Sequence, residues 1–119
     1  MATVSNDGQP HIVPIVFALH TNAIVTAIDW KPKRTTDLRR LRNIDSNPRV
    51  SVLADHYTED WSLLWWIRAD GNARILYGDD RSEPVGWLRA KYDQYRENPP
   101  AGPVIWIDVT RWRFWPSSN

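Results

Sequence analysis

The chain of 119 residues contains no cysteine, so disulfides, thiolate metal sites and a cysteine nucleophile are all excluded. It has no apolar run near the roughly 20 residues that a membrane-spanning helix needs, and no signal-peptide pattern opens it. A strong charge excess is missing too, because 15 lysines and arginines face 14 acidic residues. This net charge of +1 argues against a general nucleic-acid binder. We therefore expect a cytoplasmic protein with neither a membrane nor a nucleic-acid partner.

Tryptophan is the residue in which the chain is rich, although it has one methionine and two phenylalanines. A tryptophan side chain is large and keeps one N–H donor, so it suits ligand walls and interfaces as well as cores. The eight tryptophans are Trp30, Trp61, Trp65, Trp66, Trp87, Trp106, Trp112 and Trp115. The length suffices for one core, and we predict a single domain over residues 1–119.

Turn signals and alternating apolar residues predict seven strands and two helices in the order β-β-β-α-β-β-β-α-β. The turns include Asn6-Asp7-Gly8 and Gly71, and Pro14 marks an edge or a bulge because it lacks an N–H donor. Strands joined by hairpin turns indicate an antiparallel sheet closing toward a barrel, a mainly β (α+β) fold with two flanking helices. The predicted strands are Ala2–Ser5, His11–Leu19, Ala23–Asp29, Arg49–Asp55, Ser62–Asp70, Asn72–Asp80 and Pro103–Trp115.

Both predicted helices are defined by apolar residues at helical spacing. Thr35 or Thr36 caps the first helix, and Asn47-Pro48 stops it. The second helix opens at Ser82 with a proline near its first position. The apolar stripes consist of Leu38, Leu41 and Ile44 in the first helix and of Val85, Leu88, Tyr92 and Tyr95 in the second.

Positive charge is concentrated in residues 29–50, which hold seven of the 15 lysines and arginines against three acidic residues. Lys31, Lys33 and Arg34 precede the predicted helix start, where unpaired backbone N–H groups suit an anion. Arg40 and Arg42 could reach the same anion from the side of the helix. Because arginine can bind phosphate through two parallel hydrogen bonds, the segment predicts a phosphate site.

A solvated helix face explains the same arginines without a ligand. Asp37 lies three residues before Arg40 and can pair with it on the helix surface. Alternatively, Arg39, Arg40 and Arg42 with surface tryptophans could bind single-stranded nucleic acid. Spacing alone leaves the phosphate site and the solvated face equally open.

Two long segments resemble one known superfamily. The opening "ATVSNDGQPHIVPIVFAL" and the later "RLRNIDSNPRVSVLAD" are similar to the first hairpin and the helix-to-strand segment of the pyridoxamine 5′-phosphate oxidase-like split β-barrel proteins. Within that superfamily, "KPKRTTDLRRLRNI" and "DHYTEDWSLLWWIRADG" are most similar to the F420-dependent oxidoreductases of actinobacteria. The ordered set of segments is more specific than any one of them.

The resemblance implies a homodimer of split barrels with a flavin or deazaflavin in a groove between the subunits. The phosphate-gripping lysine of the family, three residues before an asparagine, corresponds to Arg40. Lys31, Lys33, Arg34 and Thr35 would extend the positive groove, which suits F420 with its oligoglutamate tail better than FMN. The family's N-terminal helix is expected to be absent, because the sequence opens directly in the first strand.

The hairpin arm and a tryptophan pair complete the expected cofactor site. The resemblance implies that Val13, Pro14 and Ile15 pack along the ring system. Trp65 and Trp66 are neighbours in a strand, so their side chains point to opposite faces. We expect one of them in the core and the other over the ring or the dimer interface.

No catalytic residue and no metal site can be assigned from the sequence. The three histidines lack metal-ligand spacing, the serines lack a visible His–Asp arrangement, and no phosphate loop or glycine-rich fingerprint is present. This pattern fits hydride transfer, in which a cofactor carries the chemistry. We expect an F420-dependent oxidoreductase acting on a small organic molecule, with an FMN-dependent oxidase and a non-catalytic F420 carrier as alternatives.

Overall fold

The computed structural model describes residues 1–29 and 38–116, and its centre is one seven-stranded antiparallel sheet. The strands are β1 Ala2–Val4, β2 Pro10–Ile12, β3 Ala18–His20, β4 Ala23–Ala27, β5 Arg49–His56, β6 Trp65–Leu76 and β7 Val104–Trp115. Their order in the sheet is β2-β1-β5-β6-β7-β4-β3, so β2 and β3 are the edges and the sheet is curved but not closed. The predicted antiparallel architecture is confirmed.

The first hairpin turns where the sequence indicates. Gly8 adopts a positive φ of 87°, a conformation that glycine tolerates because it has no Cβ. The Ser5 hydroxyl donates to the Asp7 carboxylate, and its oxygen accepts the Gln9 N–H at 2.9 Å. This turn aligns β2 against β1, with Thr3 opposite His11.

The predicted strand His11–Leu19 is interrupted, since residues 13–17 belong to no strand. Pro14 lies in this gap and cannot donate a ladder hydrogen bond. Side chains hold the backbone instead. The Thr26 hydroxyl donates to Val16 O at 2.7 Å, while the Tyr92 hydroxyl accepts from Phe17 N at 3.1 Å and donates to Phe17 O at 2.9 Å.

The prediction of a turn at Gly71 is wrong, because β6 runs straight through it. The predicted strands on either side of this glycine are one long strand, and Trp61–Leu63 before it forms a 3₁₀ turn. The pairing with β7 shifts between Asp70 and Gly71, which leaves Thr110 as the extra residue of a bulge. A Cβ on Gly71 would lie 2.3 Å from Asp108 O, so glycine permits the close approach of two strands.

The helices are α1 Arg39–Ser46, α2 Ser82–Lys91 and α3 Asp93–Glu97. Leu38 is extended (φ −81°, ψ 143°) and directly precedes α1, so the prediction that Thr35 or Thr36 caps this helix is wrong. The second predicted helix is split at Tyr92, whose φ of −118° and ψ of 121° are not helical. None of the helices in the described ranges is long and apolar enough to cross a membrane.

Two apolar cores lie on opposite sides of the sheet, and the predicted stripes face them. Leu41 and Ile44 of α1 pack into the inner core, as predicted. Leu88 and Tyr95 pack into the outer core beneath α2 and α3. The inner core also contains Met1, Ile24, Ile28, Val50, Val52, Ala69, Ala73, Ile105, Ile107 and Val109.

Candidate functional site

A buried polar bond seats α1 on the first strand. Asn43 Nδ2 donates to Thr3 Oγ1 at 2.9 Å, and both residues are buried. A buried amide is stabilising only when its hydrogen bonds are made, so this pair specifies how the helix lies on β1. Arg40 precedes Asn43 by about one turn of the same helix. The sequence analysis did not single out this pair, whose only sequence signal is a polar residue beside the apolar stripe.

Arg40 is half-buried, and its Nε is buried without a hydrogen-bond partner among the described residues. Burial lowers the pKa of its guanidinium, and the nearby Asp29 carboxylate opposes that shift. Buried N–H groups are nearly always paired, so an orphaned one on a guanidinium is a place where an anion fits. This observation favours the phosphate interpretation for Arg40.

Asp29 connects this arginine to α3. The Tyr95 hydroxyl forms a hydrogen bond with Asp29, and burial, followed by the Asp29 charge, raises the pKa of Tyr95 to about 12. The carboxylate therefore interacts with a tyrosine on one side and with the Arg40 charge on the other. Sequence analysis did not find this connection, because the residues lie far apart in the chain.

The other arginines of α1 have different surroundings. Arg39 and Arg42 border a shallow cleft of about 460 Å³ that they share with Asp7 in the first hairpin turn. The pKa of Asp7 is lowered chiefly by the Ser5 hydroxyl and to a smaller extent by Arg39. Arg39 is exposed, so the solvated-face interpretation fits this side of the helix.

The remaining basic residues of the predicted phosphate site, Lys31, Lys33 and Arg34, lie outside the described residues, as does Thr35. Their part in a cofactor site stays a prediction. Because α1 begins at Arg39, these residues do not directly precede its first turn.

Only part of the hairpin arm, residues 13–17, exposes its side chains to solvent. Val13 and Ile15 pack against the inner core, while Pro14 and Val16 are exposed. Contact of Val13, Pro14 and Ile15 with a ring system stays a prediction. The bond between Thr26 and Val16 O keeps this backbone in place.

Trp65 and Trp66 lie on opposite faces of β6, but the expectation that one of them is in the core is wrong. Trp65 is exposed and stacks on His56, with ring centroids 6.1 Å apart. Trp66 is half-buried and pairs with Trp115 across β6 and β7. Both lie beyond the two cores because β5, β6 and β7 extend past the barrel.

A cavity of about 600 Å³ opens on the outer face of these strands. Leu53, Trp66 and Trp115 form much of its apolar wall, and its polar groups include Arg68. Arg68 Nε lies 3.2 Å from Asp70 Oδ1, which also accepts the Ser51 hydroxyl at 2.6 Å. Flat apolar walls beside a cation suit an aromatic ring with an anionic substituent.

The amino-terminal residue Met1 connects Arg40 to this cavity. Burial, and then the Arg40 charge, lower the pKa of the Met1 amino group. Met1 and Ala2 also line the cavity. Arg40 itself does not line the cavity.

Among the described residues, no group of three or more histidine or acidic side chains is placed to hold a metal ion. His20 stacks on Trp87 at a centroid distance of 4.0 Å and an interplanar angle of 9°. His56 stacks on Trp65, so two histidines have aromatic partners.

Comparisons with known proteins assign this architecture to a class. The open antiparallel barrel with a few flanking helices is the split β-barrel fold, shared with solved structures of that class. The sequence pattern of the pyridoxamine 5′-phosphate oxidase family matches residues 1–116, so the chain belongs to that family. None of the curated proteins compared with it matches.

Several solved structures are similar to the chain. A conserved hypothetical protein of Mycobacterium tuberculosis has a TM-score of 0.76 and 20% identity, covering 98% of this chain and 74% of its own. HutZ, the heme storage protein of Vibrio cholerae, has a TM-score of 0.74 and 14% identity, with coverages of 97% and 82%. General stress protein 26 of Bacillus anthracis has a TM-score of 0.64 and 22% identity, with coverages of 95% and 79%. At such identities the likeness shows the fold alone.

Proposed function

We propose that the protein is an F420-dependent oxidoreductase that transfers hydride between the deazaflavin and a small organic substrate. The observation that carries the proposal is the orphaned, buried Nε of Arg40 on the helix next to the first strand. A charge-assisted bond to a cofactor phosphate would satisfy that N–H. The apolar cavity that Met1 and Ala2 help to line supplies room for a flat ring system.

The basic segment is the reason for preferring F420 over FMN. Lys31, Lys33 and Arg34 add three cations beyond Arg40, more than a single phosphate requires. An oligoglutamate tail would extend the negative charge of the ligand along them. Family membership by itself supports a flavin such as FMN, which is the alternative cofactor.

In this proposal the protein binds the cofactor, orients it and shields it from water. Arg40 would hold the phosphate, and the bond from Asn43 to Thr3 keeps the helix that carries Arg40 against β1. Trp66 and Leu53 line the cavity and would exclude water from a ring bound there, which would protect the hydride from loss to solvent. The reduced deazaflavin, when bound, supplies the hydride. No side chain of the described residues is needed as a general acid or base.

A homodimer is part of the proposal. Leu53, Ile67, Phe114 and Trp115 are exposed on the strands that extend past the barrel. An apolar surface of this kind on both faces of a sheet is unusual for a monomer. A second copy would cover it and would close the groove in which the cofactor binds.

Ligand titration tests the proposal. Purified protein is titrated with F420, FMN, heme and a single-stranded oligonucleotide, and binding is followed by fluorescence polarisation or by absorbance. Binding of F420 at lower concentration than the other three supports the proposal. Preference for FMN would favour the oxidase alternative, and preference for heme would point to the role named for HutZ of Vibrio cholerae. An oligonucleotide response that is steeply lost in salt would favour the nucleic-acid interpretation.

Turnover distinguishes an enzyme from a carrier. Reduced F420 is mixed with the protein and with a panel of unsaturated organic compounds, and reoxidation is followed at the deazaflavin absorbance. Accelerated reoxidation with one compound class supports the reductase. Tight binding without acceleration across the panel would support the carrier instead.

A further inference from the structure

The outer face of β6 and β7 carries an excess of arginines. The register of the two strands places Arg68 opposite Arg113, which we call the arginine pair. It also places Asp70 opposite Arg111. Side chains directly opposite each other in an antiparallel pair project from the same face, so three guanidiniums share this face with one carboxylate. Since like charges at opposite positions are destabilising, an anion held by the arginine pair would stabilise the sheet.

Arg68 keeps an unused hydrogen-bond donor. Its Nε lies 3.2 Å from Asp70 Oδ1, yet it is buried without a hydrogen-bond partner among the described residues. Asp70 Oδ1 accepts the Ser51 hydroxyl at 2.6 Å instead. A buried N–H without a partner is unfavourable, so a ligand that turns the guanidinium and pairs with it would bind more tightly. The Arg68 side chain is 43% exposed, which leaves its outer nitrogens within reach of such a ligand.

The cavity of about 600 Å³ beside Arg68 extends across five strands of the sheet. Ile12 of β2 and Trp115 of β7 line its two sides, and Trp66 of β6 lies between them. Neighbouring strands are about 4.8 Å apart, so the four spacings from β2 to β7 amount to roughly 19 Å. This width gives room for two flat groups side by side.

The two sides of the cavity differ in character. Met1 and Ala2 lie on the β1 side, where Met1 connects the cavity to Arg40. A cofactor whose phosphate lies at Arg40 would place its ring on this side. On the other side, Trp66 and Trp115 lie opposite each other, and we call them the tryptophan pair. The arginine pair follows two residues along the same strands, so flat apolar walls and cations adjoin there.

We propose that this second side of the cavity binds a flat unsaturated carboxylate, with its apolar part against the tryptophan pair and its carboxylate on the arginine pair. An arginine binds a carboxylate through two parallel hydrogen bonds, so the pair would fix the orientation of the ligand as well as its position. This inference rests on the proposed function, because the carboxylate is the substrate class of the oxidoreductase. It adds the substrate class and the residues that select it.

The acidic residues nearby favour a singly charged ligand. Asp55 lies in the cavity wall, and Asp70 lies beside Arg68. A phosphate ester, which carries close to two negative charges at neutral pH, would be repelled by both carboxylates more strongly than a carboxylate would. A carboxylate therefore matches the charge of this side better.

Calorimetric titration with two probes of the same shape tests the inference. Cinnamate carries a carboxylate at the end of a flat unsaturated group, and cinnamamide carries a neutral amide in its place. Each probe is titrated with and without F420. We expect the wild type to bind cinnamate about tenfold more tightly than cinnamamide, in line with a charge-assisted hydrogen bond. Equal binding of the two probes, or tighter binding of phenyl phosphate than of cinnamate, would overturn the inference.

Three variants locate the site. Arg68→Gln removes the charge but keeps a polar side chain, and it should bind cinnamate and cinnamamide alike. Arg113→Gln changes an exposed residue, so it should fold normally and still narrow the difference between the probes. Arg74→Gln is the matched control, because it removes an exposed arginine from the same face of β6 outside the cavity. If Arg74→Gln narrows the difference as much as Arg68→Gln, only the overall charge matters and the inference fails.

The oligoglutamate tail of F420 is the other source of carboxylates, and titration of the variants with F420 distinguishes it from a substrate. Arg68→Gln should bind F420 as the wild type does, whereas a loss of F420 affinity would assign the arginine pair to the cofactor and overturn the substrate class. A protein that prefers cinnamate to cinnamamide but does not bind F420 supports the carboxylate site and contradicts the proposed cofactor. A protein that binds F420 without preferring cinnamate overturns the inference and leaves the proposed function standing.

Discussion

At the scale of single residues, substitution of Arg40 distinguishes a ligand site from a solvated helix face. We expect Arg40→Ala to weaken F420 binding by about 1.5–3 kcal/mol, the range for a hydrogen bond to a charged group. Arg40→Lys keeps the positive charge, so it should lose less F420 binding free energy than Arg40→Ala. Equilibrium titration measures both.

The control for this prediction is Arg49→Ala, which removes an exposed arginine of the same basic segment at the start of β5. It should change affinity little, because Arg49 lies beyond the end of α1. Equal losses at both positions would mean that only the overall charge matters, and unchanged affinity in Arg40→Ala would return that residue to the solvated-face interpretation.

The raised pKa of Tyr95 predicts that the folded protein loses stability at alkaline pH. Its pKa rises from 10.0 to about 12 on folding, so the folded chain holds this proton more tightly than the unfolded chain. The stabilisation is complete below pH 10 and is lost as pH rises towards 12. We expect the free energy of unfolding to fall more steeply above pH 10 in the wild type than in Tyr95→Phe.

Denaturant titrations of both proteins between pH 8 and pH 12 measure this difference. The comparison with Tyr95→Phe cancels titration of the other tyrosines and of lysine, which the two proteins share. Parallel pH profiles would show that folding does not raise the pKa of Tyr95.

At the scale of elements, Gly71 shows that a glycine inside a strand can serve packing rather than a turn. An added Cβ would meet Asp108 O at 2.3 Å, and the clash is with backbone, which moves only with the strand. Gly71→Ala should therefore lower the free energy of unfolding by about 1–3 kcal/mol. Chemical denaturation of the folded protein measures it.

Gly86→Ala in α2 is the matched control, because nothing lies within 4 Å of its added Cβ. Alanine is the better helix former, so this change should be neutral or stabilising by up to about 1 kcal/mol. If both variants lose the same stability, the close approach of β6 and β7 does not explain the glycine.

At the scale of the whole molecule, the exposed outer face predicts association. Leu53 is 60% exposed, so Leu53→Lys should leave the folded monomer stable. In a dimer built on this face, the introduced lysine would be buried against the partner subunit, which is unfavourable. We expect sedimentation to show a dimer for the wild type and mostly monomer for the variant.

Leu19→Lys is the corresponding control, since Leu19 is 57% exposed on the edge strand β3. Its introduced charge lies outside the proposed interface and should not change the mass. A wild-type monomer, or a dimer indifferent to Leu53→Lys, would place the subunit contact elsewhere.

The sequence by itself determined the properties that depend on neighbours along the chain. Alternation predicted the antiparallel strands, the Asn6-Asp7-Gly8 signal predicted the first hairpin, and helical spacing predicted that Leu41 and Ile44 face the core. Each of these patterns reflects a backbone geometry with a fixed repeat, so it can be read locally.

Only the tertiary structure decided the properties that depend on residues distant in sequence. Gly71 lies within a strand because β7 pairs with the residues on both sides of it. Trp65 and Trp66 lie outside the cores because their strand extends past the barrel. The bond from Asn43 to Thr3 and the hydrogen bond of Tyr95 with Asp29 join different elements. Such contacts have no local repeat, because packing selects them only when the chain has folded.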